Sequence, residues 1–338
     1  MRIPHRNYER ALAEALTALV AAEPGEVVCL IGPSRSGKSR LAGELARIIV
    51  GDHAIAGNDL MPVVTVLATN CTNRGIFRTK KFVTRCLEAI RHPIYGISRP
   101  DDPWGIARSH LIDKTSESIL SDAFIKAVEI RGSMYLVVDE SQHVRYALGG
   151  DWEAAAILDA WKSLAEEAKV ILVLVGAYPL INVLQLCPHL LGRKHQIHLP
   201  RYGATEKDLI VFDQILDVYS SVLRLPVGVQ SLRGWNHLLY PNSLGCIGLL
   251  GRGLRQGLAI AHVENSDCLT KDHLLATRRP LGDLRELAAE IAAGEEAITF
   301  NNDGQDVPVP VRDTMTPTKP ARKPFKKKPR RYKAGGRI

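Results

Sequence analysis

Apolar residues recur along this chain with two different periods. Near the N-terminus their spacing is that of a core-facing helix that ends at Pro24-Gly25. The helix positions are Ala11, Leu12, Ala15, Leu16, Leu19 and Val20. Short, continuous runs rich in branched residues then follow at 27–31, 63–68, 134–138 and 170–175, with a fifth candidate at 195–199. Strands that are apolar on both faces belong to parallel sheets covered by helices, so these runs predict such a sheet.

Helical patterns fill the gaps between the predicted strands. They lie at 39–50, 79–91, about 106–129, and 151–168. Strands that alternate with helices in this way are typical of a doubly wound α/β domain. The sequence therefore predicts an α/β domain over 26–200, preceded by an N-terminal helix within 1–25.

After Pro200 the strand signals stop. Only helical patterns remain, at 205–223, 230–240, 243–261, 270–276 and 282–293. These patterns predict a small all-helical domain over 201–295. The segment 301–338 is rich in Pro, Lys and Arg and has little apolar surface to bury, so we expect it to be disordered when free.

Composition excludes several classes of protein, and the charge is unevenly distributed. Of the 338 residues, 46% are hydrophobic and 24% charged, which is ordinary for a globular protein and argues against wholesale disorder. The net charge is +8, but residues 312–338 hold 11 basic residues and one acid, so the remainder carries about −2. The six cysteines form no C-x-x-C pair, and no run is long enough for a signal segment or a membrane span. We expect reduced thiols, no membrane partner and a cytoplasmic location.

The segment that follows the first predicted strand fits the phosphate-loop pattern G-x-x-x-x-G-K-[ST]. Its residues are Gly32, Pro33, Ser34, Arg35, Ser36, Gly37, Lys38 and Ser39. In such a loop the backbone N–H groups wrap phosphate oxygens at a helix N-terminus, the lysine reaches the β- and γ-phosphates, and the final hydroxyl ligates Mg²⁺. The strand before it and the helix after it make an ordinary glycine-rich turn the poorer explanation. We predict ATP and Mg²⁺ as the ligands.

A second element of the nucleotide chemistry is expected at the end of another strand. The run 134–138 is followed directly by Asp139 and Glu140. A carboxylate is needed to hold Mg²⁺, and another is needed to orient or deprotonate the attacking water. We therefore predict Asp139, with Ser39, as the metal ligand and Glu140 as the catalytic base of ATP hydrolysis.

The run Asp139-Glu140-Ser141-Gln142-His143 resembles the D-E-x-Q-H motif of the TnsC/TniB family, AAA+ ATPases of bacterial transposons that include CRISPR-associated ones. Segments 80–90, 175–177, 191–194 and 198–200 also look similar, so the likeness extends over about 26–260. It implies an AAA+ fold with a helical lid domain and assembly into a ring or filament on duplex DNA. It also implies a bridge between a TniQ-like target selector and transposase subunits.

Two positions depart from the pattern of that family. The fourth strand usually ends in Gly-Thr, where the threonine senses the γ-phosphate, but here Ala177 has no hydroxyl. The nearest polar side chain is that of Asn182. The predicted lid helix also lacks the early arginine of a second sensor, for which Arg252 and Arg255 are substitutes.

The resemblance further assigns an arginine finger and a DNA-contacting segment. Arg193 stands just before the fifth strand, from where it would reach the γ-phosphate of a neighbouring subunit; the alternative is a solvated loop arginine. Five basic residues with no acid among them follow the second strand: Arg74, Arg78, Lys80, Lys81 and Arg85. Repeated around an oligomer, they would contact duplex phosphates without sequence preference, although a basic, solvated helix face is the simpler alternative.

Two other functions share the same nucleotide motifs. A helicase-loader-type AAA+ ATPase would bind single strands, and a P-loop signalling ATPase would have no affinity for DNA. The basic tail has three open roles, namely a DNA clamp, a peptide that docks on a partner, or a solubilising extension. Affinity for duplex DNA that depends on ATP distinguishes the transposition hypothesis from both alternatives.

Overall fold

Parallel strands form the sheet that the apolar runs predict. The computed structural model describes residues 5–51, 60–69, 75–96 and 105–302. The strands among these residues are β1 (Val27–Ile31), β2 (Val63–Leu67), β3 (Tyr135–Asp139), β4 (Ile171–Gly176) and β5 (Lys194–His198). Their order across the sheet is β2-β3-β4-β1-β5, with every pairing parallel. The predicted sheet is confirmed, and each predicted run matches its strand to within one residue at each end.

The continuous apolar runs correspond to strands that are covered on both faces. Every residue of β1 and of β4 is buried, and these two strands pair with each other near the middle of the sheet. β2 lies at an edge, and its exposed residues alternate with buried ones. The phosphate loop therefore follows a strand whose position is fixed by the burial of both faces, and the carboxylates follow β3, whose three central residues are buried.

The described helices surround the sheet and continue after it. Those within the α/β part are α1 (Arg6–Ala21), α2 (Lys38–Val50), α3 (Thr79–Ala89), α4 (Gly105–Lys114), α5 (Glu117–Arg131), α6 (Asp151–Glu167), α7 (Pro179–Gln185) and α8 (Pro188–Leu191). Those after it are α9 (Glu206–Ser220), α10 (Asn236–Ser243), α11 (Ile247–Val263), α12 (Lys271–Ala276) and α13 (Leu281–Asn302). Short 3-10 helices lie at Ser141–Tyr146 and Leu232–Trp235.

The prediction of one helix over about 106–129 is wrong. The chain forms α4 and α5 instead, with a break at Thr115-Ser116. Ser116 has an extended backbone, and its hydroxyl accepts a hydrogen bond from the N–H of Ile119. Serine favours this N-cap position because its side chain satisfies an N–H group that has no partner in the first turn of a helix.

Two helices of the C-terminal half also differ from their predictions. The 230–240 pattern forms a 3-10 helix and then α10, which extends to Ser243. The helix predicted to begin at Ser243 begins at Ile247, because Leu244 and Gly245 adopt positive φ angles of 50° and 75° and interrupt it. The predicted pattern did not include the short helices α7 and α8, and each begins with a proline in its first turn.

Two groups of buried side chains hold these elements together. The first joins α1 and α2 to the sheet, and it includes Tyr8, Leu19, Leu41, Val173 and Val175. The second lies among α9 to α12, and it includes Tyr202, Phe212, Leu216, Leu250 and Leu254. The second group gives the helices after the sheet a core of their own, as expected of a helical part, while the boundaries at 200 and 295 stay predictions.

The end of the chain is largely outside the described residues. Residues Met1–Ala297 form one compact unit, and Ile298–Ile338 form a second, of which the structure describes only the end of α13. The tail predicted over 301–338 therefore falls, from 303 onward, beyond the described part. Among the described residues, no helix has the length and apolar character needed to cross a membrane.

Candidate nucleotide site and basic surface

The phosphate loop connects β1 to α2, and its backbone requires glycine at two positions. A Cβ atom on Gly32 would lie 2.3 Å from the carbonyl oxygen of Leu199, closer than any side chain tolerates. Gly37 is the N-cap of α2 and has a φ angle of 109°, a conformation that L-residues rarely adopt. The loop therefore turns tightly and presents its N–H groups at the start of a 13-residue helix.

Two polar side chains of this loop are buried. The Lys38 ammonium donates hydrogen bonds to the carbonyl oxygens of Gly32, at 3.0 Å, and of Pro33, at 2.7 Å. Burial lowers the pKa of Lys38 to about 8, against the opposing attraction of Glu140 and Asp139. The buried Ser36 hydroxyl has no hydrogen-bond partner among the described residues. A buried hydroxyl without a partner is costly unless a ligand satisfies it, so the loop fits a phosphate group.

The two predicted carboxylates lie at the end of β3, facing the loop. The backbone N–H of Glu140 donates to Asp139 Oδ1 at 2.8 Å, and Glu140 adopts a positive φ of 57°. A non-glycine residue in that region is uncommon and is found where the surrounding structure imposes it, often at functional sites. The amide Nε2 of Gln142 donates to Glu140 Oε2 at 2.6 Å.

One cavity of about 580 Å³ brings these groups together. Its lining includes residues 34–40, Asp139, Glu140, Gln142, Gly176 and Ala177, together with His5, Tyr8, Tyr219, Ile247, Gly248, Gly251 and Arg255. Of the predicted nucleotide-binding residues, only Gly32 and Pro33 are not in the lining, and both accept hydrogen bonds from Lys38. The sequence placed Asp139 and Glu140 beside the loop, and the structure agrees.

The sequence analysis did not find the residues from the N-terminal helix and from the helices after the sheet. His5 is the N-cap of α1, and its ring nitrogen accepts from the N–H of Tyr8 and lies 2.9 Å from the Tyr202 hydroxyl. Burial lowers the pKa of His5 to about 4, so the ring is neutral at pH 7. Neutral rings beside Ile247 suit an aromatic base better than a phosphate, and no local sequence signal links positions 5 and 247.

The N-terminus of α11 is attached directly to the phosphate loop. The N–H of Gly248 donates to the carbonyl oxygen of Arg35 at 2.9 Å, and a Cβ atom on Gly248 would lie 2.2 Å from that oxygen. Glycine at this position lets the two backbones touch. The start of α11 and the phosphate loop are therefore in direct backbone contact.

The residues considered for the two sensor positions divide into those inside and those outside the cavity. Ala177, which lacks the sensor hydroxyl, and Arg255 line it, whereas Asn182 is exposed and neither Asn182 nor Arg252 contributes to the lining. Arg252 instead borders a separate groove between α11 and the start of α13. Of the substitutes predicted from the sequence, Arg255 lines the cavity, and its role as a second sensor stays a prediction.

Arg193 lies on the surface just before β5, away from the cavity. Its side chain is about half exposed, and the guanidinium lies 3.4 Å from Glu166 Oε1 at the end of α6. An exposed ion pair of this length is screened by solvent and holds the side chain only weakly. The guanidinium is free to leave Glu166, as a role in a neighbouring subunit requires.

The basic residues on α3 differ in how they are engaged. Lys80 donates to the carbonyl oxygen of Asp113 at 2.9 Å, and Arg85 donates to the carbonyls of Leu67 and Thr69 after β2. The side chains of Arg78 and Lys81 are exposed and make no hydrogen bond or ion pair with the described residues. Arg74 falls outside the described residues. Arg78, the N-cap of α3, and Lys81, in its first turn, are thus the pair most available to a phosphate backbone.

Hydrogen bonds connect the chain before this basic helix to the segment that bears the carboxylates. The N–H of Ala68 donates to the Asp139 backbone carbonyl at 2.8 Å, and the Ala68 carbonyl accepts from His143 Nδ1 at 3.0 Å. The N–H of Phe77 donates to the Tyr146 carbonyl at 3.1 Å. The rings of Phe77 and Phe82 pack on Trp161 of α6. The middle and the end of the 3-10 helix after Glu140 are therefore attached to the chain that precedes α3.

Known proteins resemble this chain mainly in fold. Residues 22–184 match the AAA domain family. Searching the curated proteins returns no match. Among solved structures, the ORC2 protein of Aeropyrum pernix in its ADP form matches with a TM-score of 0.52 and 15% identity, over 82% of this chain and 68% of that one. Its ADPNP-ADP complexes match with a TM-score of 0.50 and 16% identity, over 80% and 66%.

A third match, the Walker-type ATPase of Pyrococcus abyssi, has a TM-score of 0.47 and 17% identity, over 87% of this chain and 75% of that one. The present chain spans about two thirds of the length of the ORC2 chains. Fold and site together define the class: the chain has the AAA+ P-loop NTPase fold, and residues 22–184 match the AAA domain family. These findings support an AAA+ ATPase.

Nucleotide affinity is expected to fall as the pH rises through about 8. Lys38 is charged below its pKa of about 8 and neutral above it, and only the charged form attracts phosphate. Above that pKa the affinity should fall by up to about tenfold per pH unit. Titration of a fluorescent ATP analogue between about pH 7 and pH 9.5 measures this. Lys38→Arg, whose guanidinium stays charged, should bind more weakly but with a flat profile; a flat profile for the unmodified protein would contradict the assignment.

Proposed function

We propose that this protein is an ATP-dependent AAA+ regulator of DNA transposition, similar to TnsC. It binds ATP and Mg²⁺, assembles as a ring or filament on duplex DNA, and bridges a TniQ-like target selector to the transposase subunits. The observation that carries the proposal is that the D-E-S-Q-H segment and the 3-10 helix that it begins contact both the cavity and the chain that precedes the basic helix α3. His143 contacts the backbone of Ala68, and the carbonyl of Tyr146 accepts from the N–H of Phe77.

The cavity brings together the groups that would bind ATP and activate the attacking water. The loop N–H groups and Lys38 hold the phosphates, and the Glu140 carboxylate accepts the proton of the attacking water. Ser39 and Asp139 would hold Mg²⁺, which when bound neutralises phosphate charge; a hydroxyl and a carboxylate are the oxygen ligands this ion prefers. The buried Ser36 hydroxyl, which has no partner among the described residues, supports a phosphate beside this loop.

The position of Arg193 supports assembly. The residue is exposed and does not line the cavity of its own chain, so as an arginine finger it would act on the transferring phosphoryl group of a neighbouring subunit. Hydrolysis in the oligomer would then exceed that of the isolated subunit. Arg78 and Lys81, repeated along an oligomer, would follow the phosphates of a duplex without recognising its sequence.

The first test measures binding of the protein to a random-sequence duplex by fluorescence anisotropy and assembly on the duplex by electron microscopy. The protein is compared with ATP, with a slowly hydrolysed analogue, with ADP, and as Lys38→Ala. We expect rings or filaments on the duplex with ATP and its analogue, and loss of both binding and assembly with ADP and in Lys38→Ala.

Other outcomes favour the alternatives. Preference for single strands would indicate a helicase-loader type of AAA+ ATPase. Absence of DNA binding in every nucleotide state would indicate a signalling ATPase, and the basic tail would then be assigned to a protein partner. Normal transposition in cells that carry Lys38→Ala would contradict the proposal directly.

A further inference from the structure

The side chain of Gln142, which lines the cavity, connects the ends of two strands of the sheet, β3 and β4. Gln142 lies in the 3-10 helix after β3 and is half-buried. Its amide Nε2 donates to Glu140 Oε2 at 2.6 Å, while its Oε1 accepts from the N–H of Ala177 at 3.0 Å. The carboxylate of Glu140 is therefore attached, through one amide, to the end of β4.

Chemistry fixes the orientation of this amide. A carboxylate only accepts hydrogen bonds and a backbone N–H only donates, so Nε2 must face Glu140 and Oε1 must face Ala177. The opposite orientation would break both bonds. Gly176 leaves the space that the amide needs, because a Cβ atom there would lie 3.0 Å from Gln142 Oε1.

The bridge occupies the place where the strand itself offers no polar side chain. β4 ends at Gly176 and is followed by Ala177, and neither residue has a side-chain group that can form a hydrogen bond with a phosphate oxygen or with the base. Gln142 brings a polar group to that point from the neighbouring strand. Glu140 keeps its second oxygen, Oε1, without a hydrogen bond to the described residues, so that this oxygen is available to a water molecule.

We propose that Gln142 is a positioning residue for hydrolysis: it holds the Glu140 carboxylate in one orientation, and it makes that orientation depend on the end of β4. The proposal rests on the proposed function, in which Glu140 is the base. An amide donor that holds one carboxylate oxygen directs the other oxygen toward the water. A displacement of Ala177, which lines the cavity, moves Gln142 and with it the base.

The first test separates positioning from binding. Gln142→Ala should lower kcat for ATP about tenfold to a hundredfold, because a misplacement of about 1 Å costs that much in a reaction that depends on orientation. The KM for ATP and the affinity for a slowly hydrolysed analogue should change less than about threefold. In a Glu140→Gln background the same substitution should have no further effect on turnover, because a residue that acts through Glu140 has nothing left to position.

The second test uses the isosteric change Gln142→Glu. It would place two carboxylates about 2.6 Å apart, and such a pair shares a proton. The variant should lose kcat at about pH 8 and recover part of it toward pH 6, whereas the unmodified protein should not gain activity in that direction. The charged groups that line the cavity with Glu140, which stay the same in both proteins, are Lys38, Asp139, Arg35, Arg40 and Arg255, with half-buried His5 in the same lining.

Gln196→Glu provides the matched control. Gln196 is also half-buried and accepts a hydrogen bond from Lys194 on β5, but it does not line the cavity. Its variant should keep the unmodified pH profile. The proposal is overturned if Gln142→Ala changes only KM or melting temperature, or if Gln142→Glu follows the unmodified profile. If Glu140→Gln keeps its turnover, Glu140 is not the base and the proposed function fails. If Glu140→Gln loses turnover but Gln142→Ala keeps it, only the positioning role of Gln142 fails.

Discussion

Replacing Glu140 by Gln is expected to reduce ATP turnover by about 10²- to 10⁴-fold, the range that a general base contributes. The substitution keeps the shape of the side chain and removes its ability to accept a proton from water. Nucleotide affinity should stay within about threefold, because Lys38 and the loop N–H groups that hold the phosphates are unchanged. Phosphate release and analogue binding, measured on the same preparation, separate these two effects.

The ATP-bound form should accumulate in this variant. If assembly on a duplex requires ATP and disassembly requires hydrolysis, Glu140→Gln should form oligomers on DNA that persist after ATP is diluted. Glu167→Gln, at an exposed position on α6, is the matched control and should dissociate normally. Turnover near the unmodified rate in Glu140→Gln would show that the water is activated by another group and would refute the assigned role.

The parts of the fold that the sequence predicted are those decided by local pattern and burial. β1 and β4 are buried along their whole length, so their residues have to be apolar without interruption. Such a run can be recognised directly in the amino-acid sequence. The phosphate loop was predictable because glycine is required at two positions of fixed spacing. Gly32 lies against the backbone of Leu199, and Gly37 has a positive φ angle. Asp139 and Glu140 followed because the ends of parallel strands lie at one edge of the sheet.

The parts that the sequence did not predict depend on contacts between distant segments. His5 and Tyr219 line the same cavity, yet the sequence around either residue gives no indication that the two lie close together. The bridge by Gln142 exists only because Ala177, 35 positions away, offers an N–H at the right place. The availability of the basic side chains to DNA could not be predicted from the sequence either. Lys80 and Arg85 form hydrogen bonds with backbone carbonyls, and a count of basic residues does not show such bonds.

Reversing both charges in Arg78→Glu/Lys81→Glu is expected to lower the affinity of the ATP-bound oligomer for duplex DNA by about a hundredfold or more at moderate salt. Both side chains are exposed and unengaged among the described residues, so the change removes phosphate contacts without breaking an internal bond. The slope of log affinity against log salt should decrease by about two per subunit, one for each lost contact. ATP binding and the melting temperature should be unaffected.

A matched control decides whether the effect belongs to α3 or to net charge. Lys207→Glu/Lys271→Glu makes the same charge change at two exposed lysines on α9 and α12. It should leave the salt slope nearly unchanged, because oriented contacts, rather than total charge, release counterions from the duplex. Equal losses in both double variants would indicate long-range attraction alone. Full affinity in Arg78→Glu/Lys81→Glu, lost when residues 303–338 are removed, would assign the duplex contact to the basic tail and leave α3 as a solvated helix.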